Sequence, residues 1–283
     1  MFLKKIGLGV MGVAAFLATA GVAFAAPQPW EINLQPAVTP VMERIEEFHT
    51  LLIYLITAVS LFVLALIIWI LVRYNQRANP VPSKTHHNTL IEVIWTVVPV
   101  IILVLIAIPS FKLLYFEADM PKPDLTIKAI GHQWSWSYKY PGQGDFEIAS
   151  AGLTTIDAAA GRAPDAALKA GEPRLLGVDN PIYVPVNKVV RVQTASSDVI
   201  HSWAVPAFGV KMDAIPGRIN ETWFQATKEG TYYGQCSELC GAAHAFMPIE
   251  VKVVSQAEYD TWLAAQKKSA SNISGTRTAA LTK

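Results

Sequence analysis

Cys236 and Cys240 are the only two cysteines among 283 residues, and His244 and Met247 follow them in one turn-rich run, Cys-Ser-Glu-Leu-Cys-Gly-Ala-Ala-His-Ala-Phe-Met. Thiolate and thioether sulfur are soft ligands that select copper or zinc, imidazole suits either, and the methionine tilts the choice to copper. A single blue-copper ion takes one thiolate, two imidazoles and a weak axial methionine. This run holds one thiolate too many for that, and a further imidazole stands upstream at His201, in Ser-Asp-Val-Ile-His-Ser-Trp. Two thiolates, two imidazoles and one methionine suit a pair of coppers bridged by both sulfurs. Each ion then has one histidine; Met247 is axial to one, and a backbone carbonyl, expected from Glu238, is axial to the other. Shared bonds spread the charge of an added electron, which suits fast electron transfer. A Cys236–Cys240 disulfide is the alternative for two cysteines in an exported chain, and the three further ligands argue against it.

The remaining chain must position that run, and its composition places it at a membrane. Hydrophobic residues make up 52% and charged residues 16%, with positive mean hydropathy and a net charge of only +1, which argues against an ordinary soluble protein. Residues 1–25 carry Lys4 and Lys5, an apolar run and then Ala23-Phe24-Ala25, the form of a cleavable signal peptide. Residues 26–47, rich in proline, form an extended outer segment. From Leu51 to Val72 no charge interrupts 22 positions, about 33 Å of helix, enough to cross a bilayer. A first transmembrane helix is therefore expected over 48–72 and a second over 91–116, where neighbours can compensate Pro99 and Pro109. Arg73, Arg77 and Lys84 lie in the intervening 73–90 loop without an acid, whereas Glu43, Glu46 and Glu47 precede the first helix. The positive-inside rule puts that loop in the cytoplasm and both termini outside.

From Asp124 to about Val254 the pattern changes to short β-rich segments separated by Gly and Pro. Leu125–Ile130, Ile182–Val186, Val189–Gln193, Thr222–Gln225 and Ile249–Val254 read as strands, and such a series predicts a sandwich or barrel over 117–265. Residues 149–180, rich in Ala and Gly, read as an insertion with a short helix around Pro164–Lys169. Residues 266–283, rich in Lys, Ser, Thr and Ala, read as a disordered tail. Strict alternation would place Trp134, Trp136, Tyr138 and Tyr140 on one face of a strand.

The motifs together resemble subunit II of the haem-copper cytochrome c oxidases. Cys-Ser-Glu-Leu-Cys-Gly-x2-His-x2-Met, Asp-Val-Ile-His-Ser-Trp, and Ala207-Phe208-Gly209-Val210-Lys211 followed by Pro216-Gly217-Arg218 carry the likeness, which runs from about Val41 to Trp262. The resemblance implies a two-helix transmembrane hairpin followed by an all-β cupredoxin, a Greek-key sandwich. It implies that His201, Cys236, Glu238 (through its carbonyl), Cys240, His244 and Met247 bind the dinuclear copper A centre. It further implies a magnesium ion shared with subunit I at the Glu238 carboxylate, and haem only in the partner subunit. Trp134 would be the residue through which cytochrome c delivers electrons, with Trp136 and Tyr138 as packing. Glu147, Asp179 and Asp198 match docking acids for a basic cytochrome, against a background of 17 acidic and 12 basic residues between Tyr115 and Asp260. Lys139 departs from that pattern, since relatives often carry an acid there. Glu92 reads either as an acid favoured near a helix N-terminus or, by the resemblance, as the mouth of a proton channel into subunit I. His86 and His87 read as a solvated pair.

The implied function is electron acceptance from cytochrome c and relay to haem in subunit I for oxygen reduction coupled to proton pumping. The implied setting is a bacterial inner membrane, in complex with subunits I and III. A quinol oxidase subunit would lack these ligands, and a nitrous oxide reductase would bring a large His-rich domain. A copper carrier would need neither the docking surface nor the two-helix anchor.

Overall fold

Thr39 begins the membrane hairpin. Its hydroxyl oxygen accepts from Met42 N–H at 3.1 Å, and Pro40 occupies the first helical position, the favoured start of a helix. In the computed structural model, which describes residues 23–28, 30–144, 146–154 and 173–281, helix α1 runs from Pro40 to Arg73 and α2 from Thr89 to Ala118. Both extend beyond the spans expected from hydropathy, because their outer turns belong to the extramembrane domain. Val41 and Met42 are buried, and the Thr39 hydroxyl donates to Phe208 O at 2.7 Å. Between the interfaces most apolar side chains of the helices are exposed and none is buried, as a lipid-facing or subunit-facing hairpin requires. Asn88 caps α2 by accepting from Ile91 N–H at 3.2 Å.

The hairpin is clamped to the domain above it. The Arg44 guanidinium lies 3.6 Å over the Phe116 ring, Phe116 meets Trp223 edge-on at 5.7 Å, and the Trp223 indole donates to Glu117 O at 3.0 Å. With Arg44 exposed to solvent, such a cation–aromatic contact contributes about 0.5–1 kcal/mol.

The domain consists of strands β1 (Ala23–Ala25), β2 (Leu125–His132), β3 (Ser135–Lys139), β4 (Glu147–Ser150), β5 (Ile182–Pro185), β6 (Val190–Ser196), β7 (His201–Val205), β8 (Val210–Ala214), β9 (Asn220–Phe224), β10 (Gly230–Gln235) and β11 (Pro248–Val254). One sheet has the order β4-β3-β2-β6-β9 and another β1-β10-β11-β5, with a β7–β8 hairpin. Strands β2 and β6 alternate buried and half-buried residues, which sends Ile127, Ala129 and Val192 inward. They meet Trp203, Phe208, Phe224, Tyr232, Ile249 and Val251 in one buried core. The sheets form the β-sandwich of a cupredoxin. Strand β7 is buried along its whole length, so it lacks the alternation that marks a strand in sequence.

Three regions differ from expectation or lie outside the description. The tail read as disordered from 266 instead continues a helix, α3, from Gln256 to Leu281. Tyr259 and Leu263 are buried and Trp262 stacks on Tyr183 at 4.9 Å, so packing of its first turns anchors this helix to the domain. The helix expected around Pro164–Lys169 lies outside the described residues, as do residues 1–22 of the expected signal peptide. At the flanks of the insertion, Gly152 bridges Val178, and the buried Glu250 carboxylate accepts from Val178 N–H at 3.2 Å. Ala23–Ala25 lie parallel to Gly230–Tyr232 at a sheet edge.

Candidate metal centre

The ligand run connects two paired strands. Gln235 at the end of β10 lies opposite Pro248 at the start of β11, so residues 236–247 leave and return at neighbouring points. Cys236 N–H donates to Met247 O at 3.0 Å, closing the loop, and Ser237 N–H donates to Ser202 O at 3.0 Å, tying it to β7. That second bond brings His201, the first residue of β7, beside the cysteines. Rigid strands therefore hold both halves of a site that sequence separates by 35 positions.

The two sulfurs lie 3.9 Å apart. This is nearly twice the bonded distance of about 2.05 Å, and both cysteines are free and buried. Each sulfur faces one imidazole: His201 Nδ1 is 3.9 Å from Cys236 Sγ, and His244 Nδ1 is 3.5 Å from Cys240 Sγ. The Glu238 carbonyl oxygen lies 3.4 Å from Cys236 Sγ, while the Glu238 residue as a whole is exposed. Met247 is fully buried. His201, Cys236 and Cys240 hold their donor atoms within 4.8 Å of one another. Two soft sulfurs, each with its own nitrogen donor and a buried thioether nearby, fit a thiolate-bridged copper pair. Burial, and then the neighbouring Cys236, push the Cys240 thiol up to about 12, so metal binding must displace its proton.

Asp198 explains the orientation of His201. Its Oδ1 lies 2.8 Å from His201 Nε2, which places the ring proton on Nε2 and leaves the Nδ1 lone pair toward the sulfur. Burial acts to raise the Asp198 carboxyl, but hydrogen bonds from His201 and from the Gln133 and Val199 N–H groups outweigh it and hold it at about 2. Gly131 supplies the room: a Cβ there would stand 2.6 Å from His201 Cδ2. Neither role was legible from motif matching, although an acid three residues before a ligand histidine is a usable signal. Asp198→Ala is expected to weaken copper binding by about 10–100-fold, measured by chelator competition. A purely docking role would leave that affinity unchanged.

Of the aromatic run, only Trp136, Tyr138 and Tyr140 share the buried face. Trp134 sits in the turn between β2 and β3, 36% exposed, with its indole donating to Cys240 O at 3.2 Å. Trp136 packs edge-on against His201 at 6.0 Å.

The three acids matched to docking each have a local partner. Glu147 pairs with Lys139 at 3.3 Å; a hydrogen bond from Ser137, aided by Lys139, outweighs partial burial and holds its carboxyl below the usual range. Asp179 accepts from Ala151 N–H at 2.8 Å and Asn180 N–H at 2.7 Å, and Asp198 holds His201. On the membrane's other side Glu92 lies 2.8 Å from His87 Nδ1 and accepts from Asn88 N–H at 3.4 Å. Glu92 therefore closes a cap around the first turn of α2, and both His86 and His87 are solvent-exposed, as expected of a solvated pair.

Comparison with known proteins finds relatives for both the helical and the β-rich part of the chain. The family model described as cytochrome c oxidase subunit II, periplasmic domain, matches residues 125–254, and that for the transmembrane domain matches residues 27–113. A probable cytochrome c oxidase subunit 2 of Rickettsia bellii is 46% identical over 281 residues, covering 99% of this chain and all of the relative. Cytochrome c oxidase subunit 2 of Cereibacter sphaeroides is 43% identical over 244 residues, covering 84% of this chain and 80% of the relative. The crystal structure of the periplasmic domain of cytochrome oxidase subunit II of Bradyrhizobium japonicum is 55% identical, covering 53% of this chain and 99% of its own, with a TM-score of 0.46. Since both the membrane hairpin and the domain that carries the sulfur and imidazole donors match, the chain belongs to the cytochrome c oxidase subunit II family.

Proposed function

We propose that this chain is the electron-accepting subunit of a proton-translocating cytochrome c oxidase in a bacterial inner membrane, working with subunits I and III. The observation that carries the reading is the pair of buried sulfurs 3.9 Å apart, each faced by one imidazole Nδ1. When bound, a copper pair would supply a one-electron carrier between cytochrome c and the haem of subunit I. Cys236, Cys240, His201, His244, Met247 and the Glu238 carbonyl would hold that pair, and Asp198 fixes the His201 ring. Trp134 receives the donor at the surface and connects to Cys240 through its indole N–H. The Glu238 carboxylate, a hard oxygen ligand, serves a magnesium ion at the subunit I boundary. Glu92 marks the cytoplasmic mouth of a proton path into subunit I, where an ionisable group at a membrane edge is otherwise costly.

The chain then divides as a signal peptide over 1–25, an outer segment to 47, two membrane spans over 48–72 and 91–116 flanking a cytoplasmic loop, and a periplasmic copper domain. Loading the purified chain with copper tests this reading. Two coppers per chain sharing one unpaired electron, with hyperfine splitting from both nuclei, are expected. One copper, or none with Cys236 and Cys240 joined, would return the domain to a carrier or structural role.

The docking surface yields a prediction of its own. Lys139 neutralises Glu147 at the end of β3 away from Trp134, about 13 Å from Ser135 at about 3.3 Å per residue. Lys139→Ala should raise the association rate of a basic cytochrome roughly two- to threefold at low ionic strength. The gain should fade near 0.15 M salt, where the Debye length is about 8 Å. Stopped-flow rates against salt measure it.

A further inference from the structure

Two parts of the site meet at one residue that neither binds metal in the reading above nor faces the core. The Gln133 backbone N–H donates to Asp198 Oδ2 at 2.7 Å, and its side-chain amide donates to Cys240 O at 2.9 Å. The same carbonyl accepts the Trp134 indole at 3.2 Å. We infer that Gln133 is a positioning residue that clamps the electron port to the copper loop, joining the His201 side of the site to the cysteine side.

The geometry supports this in three ways. First, Cys240 O receives two donors from adjacent residues of one turn, so the indole and the ligand loop cannot shift independently while both bonds hold. Second, the contact is close enough to demand glycine next door. Gly241 has φ +119, and a Cβ there would stand 3.1 Å from both Gln133 Nε2 and Trp134 Cζ2, so the turn packs directly on the loop backbone. Third, the two Gln133 bonds are chemically separable. The backbone bond to Asp198 survives any substitution other than proline, whereas the bond to Cys240 O depends on the side-chain amide donor. An N–H donor at the Cys240 carbonyl also draws electron density from the ligand residue, which favours the reduced centre.

The inference rests on the copper reading above, and its test is built to fail separately. Gln133→Leu removes the donor, and Gln133→Glu keeps the shape but presents an acceptor to an acceptor. In the copper-free full chain in detergent, amide exchange over residues 240–243 should quicken about three- to tenfold in both variants. That range corresponds to one net hydrogen bond. In the copper-loaded chain, copper content should stay at the wild-type value. The equilibrium constant for electron transfer from a fixed donor should fall about threefold, read by spectroscopic redox titration, with donor KM unchanged. Wild-type exchange and potential with a raised KM would make Gln133 a donor contact only and overturn the inference. Loss of copper in both variants would make it a part of the fold and overturn it equally. If the wild-type chain binds no copper pair, the functional reading fails, while the exchange experiment still decides whether the clamp exists.

Discussion

Cys240→Ser is expected to remove the bridged copper centre and reduce cytochrome c oxidation to below about 1% of the wild-type rate, a larger loss than the 10–100-fold typical of removing a group that only supports a ligand. The reason is arithmetic as much as chemistry. The chain has two cysteines, so no other sulfur can take the second bridging position. A serine hydroxyl is a hard ligand that stays protonated near neutral pH and does not bridge soft copper. His244 Nδ1, 3.5 Å from Cys240 Sγ, would lose the partner that sets its position. Copper analysis should give one ion or none per chain, with the shared-electron spectrum gone. Secondary structure by circular dichroism should persist, because the loop ends are fixed by the β10–β11 register and not by the thiol. Retention of two coppers with the shared signal would overturn the proposed ligand set.

Trp134→Ala is expected to slow electron uptake from cytochrome c strongly while leaving the copper spectrum intact. Truncating a central tryptophan anchor costs about 2 kcal/mol or more, roughly thirtyfold in donor affinity. The lost indole also removes one of the two hydrogen bonds to Cys240 O, the bonded route from the surface to a ligand. The neighbouring Trp136→Ala provides the contrast. Trp136 is fully buried against His201, so its truncation should destabilise the domain by about 3–5 kcal/mol and disturb copper binding itself. Stopped-flow reduction and paramagnetic resonance of the two variants separate the roles. A changed spectrum with normal transfer in Trp134→Ala would assign the port elsewhere.

The difference between those two tryptophans illustrates how far sequence reaches in this protein. Period-two alternation put Trp134, Trp136, Tyr138 and Tyr140 on one face, and three of the four are there. Trp134 is not, because the strand has not yet begun at that residue: β3 starts at Ser135. Periodicity describes a strand once its ends are known, and a turn one residue away shifts a side chain from the core to the surface. A similar limit applied to β7. Its five residues are all buried, so burial on both faces erased the pattern that revealed β2 and β6.

What the sequence by itself determined was the chemistry and the membrane architecture. Two cysteines, two histidines and a methionine of the right softness are readable as letters. So are two uninterrupted apolar runs and a basic loop, since ligand identity and bilayer length are properties of composition and spacing. Only the tertiary structure decided which groups support those ligands. Asp198 matched a docking acid in sequence, yet its carboxylate lies 2.8 Å from His201 Nε2. Gly131 and Gln133 carried no signal at all, yet one makes room for His201 and the other reaches Cys240 across 107 positions. Glu147 matched another docking acid and turned out to be paired with Lys139. Such roles depend on strand register and loop closure, which bring distant residues within hydrogen-bonding distance, and no local pattern encodes a distance of that kind.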